Sequence, residues 1–290
     1  MTYLITPDEL LANLDSYHIV DLRPFDEYAA GHVTGAVPSP INIHLADSNH
    51  NLIDAHMFTS LMAKLGIDNY THVVVYDSNH SKTSALFWHT LMHYGHQGQV
   101  LIVDGGWPAV AASELPISQD FVPAPFTYYV TKPQTEHPYV YWLPDFIANY
   151  TNVKILDTRG HAEWHGFTDY GNPRAGRLPG AVHITFDTFL PAPDQLTSLG
   201  DLQAIEAQAA TLGLEKDEPI VVYCQHGARA SLASIALRSV GYTQVIVYEG
   251  SMYEWTRHPA LALVQPALST DDADNEDNTD KSPGPTDETS

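Results

Sequence analysis

Ile220-Val221-Val222-Tyr223-Cys224-Gln225-His226-Gly227-Ala228-Arg229-Ala230-Ser231 reads as a β-branched strand that runs into a cysteine, a short loop with one glycine, and the start of a helix. Beyond it Leu232, Ile235, Ala236 and Val240 fall at helical spacing, Gly241 offers a stop, and Val245-Ile246-Val247-Tyr248 reads as the next strand. Strand, loop, helix and strand in that order favour an α/β fold, a parallel sheet with helices on both faces. Ligands of such sheets bind beyond the carboxyl ends of the strands, which is where Cys224 falls.

The same order of elements occurs earlier in the chain. Ile155-Leu156-Asp157-Thr158-Arg159, then Glu163-Trp164, then Gly176 to Val182 with Gly180-Ala181, repeats Ile19-Val20-Asp21-Leu22-Arg23, then Glu27-Tyr28, then Gly31 to Val37 with Gly35-Ala36. Val73-Val74-Val75-Tyr76-Asp77 matches Ile220 to Cys224, and Val100 to Gly105 matches Val245 to Gly250. The chain is therefore expected to hold one domain twice, and 290 residues is a fitting length for that.

Composition narrows the function. With 44% hydrophobic residues the chain can build real cores. A formal charge of −22 argues against a grip on nucleic acid or on an anionic membrane, since both require a basic surface. One cysteine excludes an intrachain disulfide and any multi-cysteine metal site. The N-terminus lacks the basic and apolar regions of an export signal, so a cytoplasmic location is expected. Residues 269–290 carry eight acidic side chains against one lysine and read as a disordered acidic tail. Residues 119–137, rich in proline, read as an extended linker.

A thiol at a strand end that leads into a helix sits among amide N–H groups without intrahelical partners, and these, with the helix dipole, favour an anion there. Gly227 and Arg229 close beside it turn Cys224 from a core cysteine into a candidate nucleophile.

These residues carry a resemblance. Cys224, Gly227 and Arg229 fit the pattern Cys-x-x-Gly-x-Arg; Tyr28 to Ala36 fits an N-terminal signature with Thr34 in place of Pro, and Tyr248 to Trp255 a C-terminal one with Met252 in place of Trp or Phe. With the duplicated Asp-x-Arg and Gly-Ala turns, the chain resembles a tandem-domain rhodanese, a sulfurtransferase, from about residue 5 to about residue 265. The resemblance implies two tandem rhodanese-like domains, each a parallel sheet flanked by helices: residues 1–118, catalytically silent with Asp77 in place of the cysteine, and residues 138–268, carrying the thiol. It implies transfer of a sulfane sulfur from thiosulfate to cyanide or a thiol through a persulfide on Cys224, with no metal and no organic cofactor. The partners are then a small-molecule donor and acceptor, a protein thiol being one form of acceptor.

Around Cys224, the expected substrate-binding set is Gln225, His226, Gly227, Ala228 and Arg229, joined by Arg174 and Arg177 as candidates for the cleft. Arg229 could hold the donor anion or bond loop carbonyls, and His226 could shape the pocket mouth or simply be solvated. Arg159 is expected to anchor its turn on Asp157, and Trp164 and Trp255 to pack. Three rival functions remain. A cysteine phosphatase places Arg six positions after the cysteine, where this chain has Ala230. Mercaptopyruvate sulfurtransferases carry a loop of small residues, where this chain has Gln225, His226 and Arg229. A persulfide carrier serving a protein partner would use the same thiol.

Overall fold

The computed structural model describes residues 2–39, 54–78, 80–134 and 139–265. The acidic tail expected at 269–290 lies outside them. In the first half the strands are β1 (Leu4–Ile5), β2 (His18–Asp21), β3 (His32–Val33), β4 (Val37–Pro38), β5 (Val73–Tyr76), β6 (Val100–Val103) and β7 (Ile117–Ser118). In the second they are β8 (Val140–Tyr141), β9 (Lys154–Asp157), β10 (Val182–His183), β11 (Ile220–Tyr223) and β12 (Val245–Tyr248). Two five-stranded sheets result, ordered β1-β6-β5-β2-β4 and β8-β12-β11-β9-β10. Every neighbouring pair within them is parallel. The two orders are the same once the repeat is laid over itself, so the duplication expected from sequence is a duplication of topology.

The central strands β5, β6, β11 and β12 are buried along their whole length, as uninterrupted Val/Ile runs require in a sheet covered on both faces. One face of each sheet is closed within its own half, by Leu10, Val110 and Leu115 in the first and by Phe146, Met252 and Trp255 in the second. The other faces share one apolar core that crosses the boundary. There the Lys82–His93 helix, which brings Phe87, Trp88 and Leu91 to this core, packs on the Ala228–Ser239 helix, whose Ala230, Ala233 and Ala236 are fully buried. The halves are joined by a common core as well as by the chain.

Each half also repeats a buried polar clamp. The Arg23 guanidinium donates to both carboxylate oxygens of Asp21 and to the Gly31 carbonyl, and Arg159 does the same to Asp157 and the Gly176 carbonyl. The hydroxyls of Tyr76 and Tyr223 complete the clamps by donating to Asp21 and Asp157. Arg159 is thus the anchor of its turn. Gly31 and Gly176 lead into antiparallel pairings: β3 with β7 in the first half, and Arg177 with Val264 in the second.

Residues 119–134 form neither helix nor strand, and they are docked along the first half. Lys132 N donates to the Tyr94 carbonyl and Val130 N to Asn69 Oδ1, while Tyr129, 3% exposed, meets the Phe58 ring edge-on at 5.5 Å. Among the described residues no helix is long and apolar enough to cross a membrane.

Asp77 directly follows β5 and serves as a cap. Its Oδ1 accepts from Ser81 N at 2.9 Å, and its Oδ2 from Ser84 N at 2.7 Å and Ser84 Oγ at 2.9 Å. Asp77→Ala leaves those amides without the carboxylate, at a cost of roughly 1–2 kcal/mol for a lost cap. Thermal unfolding is expected to show a Tm several degrees lower, with Asp77→Asn intermediate; an unchanged Tm would show that the cap contributes nothing.

Candidate active site

Cys224 follows β11 directly, and its residue is 1% exposed. The clamp described above holds the strand end: Tyr223 is tied through its hydroxyl to Asp157, and its carbonyl accepts from Thr158 N and Thr158 Oγ1, both at 3.0 Å. From the other side the Gly250-Ser251-Met252 turn secures the cysteine's backbone. Cys224 N donates to Ser251 Oγ at 3.1 Å, and Met252 N donates to the Cys224 carbonyl at 3.1 Å. Ser251 reaches this position with φ of 48°, a backbone conformation that costs a non-glycine residue energy. The turn is the physical content of the C-terminal signature noted in the sequence.

The loop then turns at Gly227, the N-cap of the Ala228–Ser239 helix, with φ of 78°. A Cβ there would lie 3.0 Å from the Glu249 carbonyl oxygen, so both the dihedral and the space require glycine. The N-cap residue of this helix is a glycine and brings no side chain of its own to the N-terminal amides. At the matching place in the first half, Asp77 brings a carboxylate to the amides of Ser81 and Ser84. The aspartate and the cysteine occupy one position in the repeat, and the carboxylate shows the kind of charge that this geometry accepts.

Arg229 forms a two-pronged ion pair with Glu163: Nη1 to Oε2 at 2.6 Å and Nη2 to Oε1 at 2.8 Å. The side chains are 20% and 4% exposed. Burial opposes the guanidinium charge, but the bond to Glu163 and the nearby Cys224 sulfur hold its pKa above the ordinary arginine range. Arg229 therefore remains charged, and it is oriented by a carboxylate, not by loop carbonyls.

The Gln225 side chain, 4% exposed, forms a reciprocal amide pair with Asn172: Asn172 Nδ2 donates to Gln225 Oε1 at 2.9 Å and Gln225 Nε2 to Asn172 Oδ1 at 3.0 Å. Its backbone carbonyl accepts from Tyr253 N. His226 is exposed at the rim, its ring 4.9 Å from that of Tyr253. Ala228 follows the turn, half-buried, its N–H donating to the His226 carbonyl.

The two arginines proposed for the cleft are engaged elsewhere. Arg174 donates to the carbonyls of Trp255, Thr256, His258 and Leu261, fastening the C-terminal segment to the domain. Arg177 stacks on Trp164 at 4.3 Å and donates to its carbonyl. Structural contacts account for both.

Four residues with a bearing on the site were not singled out from sequence: Glu163 as partner of Arg229, Asn172 as partner of Gln225, Ser251, and Lys82. For Lys82 a signal exists in the repeat. It stands five positions after Asp77, as Arg229 does after Cys224, and its charge interacts with Cys224 and Arg229 across the domain boundary.

A putative thiosulfate sulfurtransferase of Mycobacterium bovis is 26% identical over 89% of this chain and 95% of its own length. The 3-mercaptopyruvate sulfurtransferase of Escherichia coli is 28% identical over 81% of this chain and 84% of its own. Among solved structures, SseA from Escherichia coli, a 3-mercaptopyruvate sulfotransferase, shares the fold with a TM-score of 0.73 at 24% identity, over 87% of this chain and 99% of that one. An EanB variant in complex with ergothioneine gives a TM-score of 0.80 at 18% identity, over 92% of this chain and 70% of that one. The model of the rhodanese-like domain matches twice, at residues 6–113 and 141–258, so the chain belongs to the rhodanese-like family and carries its domain in tandem.

Proposed function

We propose that this chain is a thiosulfate sulfurtransferase that works through a persulfide on Cys224. The observation that carries the reading is the pair of matched loops: one helix N-terminus is capped by the Asp77 carboxylate, and at the matching place of the other stands the Cys224 thiol, ahead of a glycine N-cap that brings no side chain of its own. Sulfurtransferase activity is what the named relatives from Mycobacterium bovis and Escherichia coli have in common.

In the first step the Cys224 thiolate attacks the outer sulfur of thiosulfate. The S–S bond of the donor breaks with its electron pair on the departing sulfite, leaving a persulfide anion on the enzyme. In the second step cyanide attacks the terminal sulfur, thiocyanate leaves, and the thiolate returns. No proton or redox partner is consumed in either step, and one hard transfer becomes two displacements with ping-pong kinetics. The loop from Gln225 to Arg229 contributes amide N–H groups to the anion, Gly227 gives the turn its shape, and the paired Arg229 adds a fixed positive charge. Because the Gln225 amide is engaged by Asn172, donor recognition falls to the loop amides and to charge.

Thiosulfate is preferred over 3-mercaptopyruvate in this reading, because a compact dianion suits a site of fixed charges whose loop side chains leave little room beside the thiol. Steady-state kinetics with cyanide as acceptor test it, with a higher kcat/KM for thiosulfate expected; an equal or higher value for mercaptopyruvate would reverse the assignment. Cys224→Ser is expected to abolish turnover with little change in Tm, since the hydroxyl is nearly isosteric but stays protonated at neutral pH. Turnover above background in that variant would remove Cys224 from its role.

A further inference from the structure

Lys82 opens the Lys82–His93 helix of the first half, yet its side chain reaches the second. Its ammonium lies 5.6 Å from the centre of the Phe186 ring, and its charge interacts with Arg229 and with Cys224. The start of its helix is fastened across the boundary. Ser81 Oγ and Ser198 Oγ share a hydrogen bond of 2.8 Å, Gly105 N donates to Ser198 Oγ at 2.9 Å, and Ser198 N donates to Asp104 Oδ1 at 2.6 Å. The same helix packs along the one that bears Arg229. A rigid element therefore carries the ammonium across the boundary, against Phe186 and along the helix that follows Cys224.

The two cations at the site differ in what they have left to offer. Arg229 spends one N–H of each terminal nitrogen on Glu163, which also balances its charge. The half-buried ammonium of Lys82 forms no hydrogen bond or ion pair among the described residues, and it has three N–H donors to give. Burial, and then the like charge of Arg229, hold its pKa below the ordinary lysine range, while Asp77 and Cys224 act in the opposite direction. A cation whose donors are unmet in that setting gains most from an arriving anion whose oxygens accept from it.

We propose that Lys82 is a donor-positioning residue of the Cys224 site, hydrogen-bonding the oxygens of an anionic sulfur donor. The proposal rests on the sulfurtransferase reading and deepens it: the silent half supplies a charge to the active one. When Cys224 attacks thiosulfate, the pair from the breaking S–S bond moves onto sulfite, whose oxygens Lys82 already holds. Total charge is conserved, and the ammonium keeps its proton throughout.

Lys82→Met, which keeps the stem and removes the charge, is expected to lower kcat/KM for thiosulfate roughly 10-fold to 100-fold, the range of one charge-assisted hydrogen bond, chiefly through KM. Lys82→Arg should restore most of it. A second readout does not depend on sulfur transfer: the rates at which iodoacetate, an anion, and iodoacetamide, which is neutral, alkylate Cys224, followed by mass spectrometry. Lys82→Met should lower the ratio of iodoacetate to iodoacetamide several-fold, and Lys82→Arg should keep it. A ratio that falls while wild-type protein shows no turnover with thiosulfate would leave Lys82 as an anion-binding residue and refute the donor assignment alone. An unchanged ratio in Lys82→Met, or a wild-type Cys224 that iodoacetate does not modify, would overturn the proposal.

Discussion

A helix that begins where a strand ends leaves several amide N–H groups without carbonyl partners, and in a packed interior those groups need an acceptor. This chain meets the requirement twice, with different chemistry. After β5 the Asp77 carboxylate supplies the acceptor from within the chain and closes the position. After β11 the matching residue is a cysteine, and the Gly227 N-cap brings no side chain of its own. The same geometry that makes one loop a structural cap makes the other a place where a sulfur anion is stabilised.

The rest of the second half holds that loop still. The Asp157, Arg159 and Tyr223 clamp sets the strand end, the Ser251 turn fixes both backbone polar groups of Cys224, and the Asn172 amide immobilises Gln225. Arg229, locked on Glu163, stays charged. Such preorganisation matters because donors that are already aimed need no rearrangement when charge develops. The first half, which has no thiol, contributes the common core, and the Ser81–Ser198 bond ties the start of its Lys82–His93 helix to the second half.

Much of this was legible in the sequence. The repeat was readable because parallel strands buried on both faces are written as β-branched runs and because the Asp-x-Arg clamp needs the same residues in both halves. Cys224 was readable because it is the one thiol and stands at a strand end. The fate of the arginines was less so. Arg174 and Arg177 look like anion ligands by type, but carbonyl groups of the C-terminal segment and the Trp164 ring claim them, and such partners leave no mark at fixed spacing. Gln225 was expected to face the donor, and its partner Asn172 is 53 positions away. Lys82 is across a domain boundary, and only laying the repeat over itself puts it in register with Arg229.

The central claim is that Cys224 carries the transferred sulfur. Intact-mass analysis of the purified protein after thiosulfate, and again after cyanide, tests it most directly. The account predicts a gain of one sulfur atom, located on Cys224, that cyanide removes. No gain, or a gain that persists in Cys224→Ser, would contradict it.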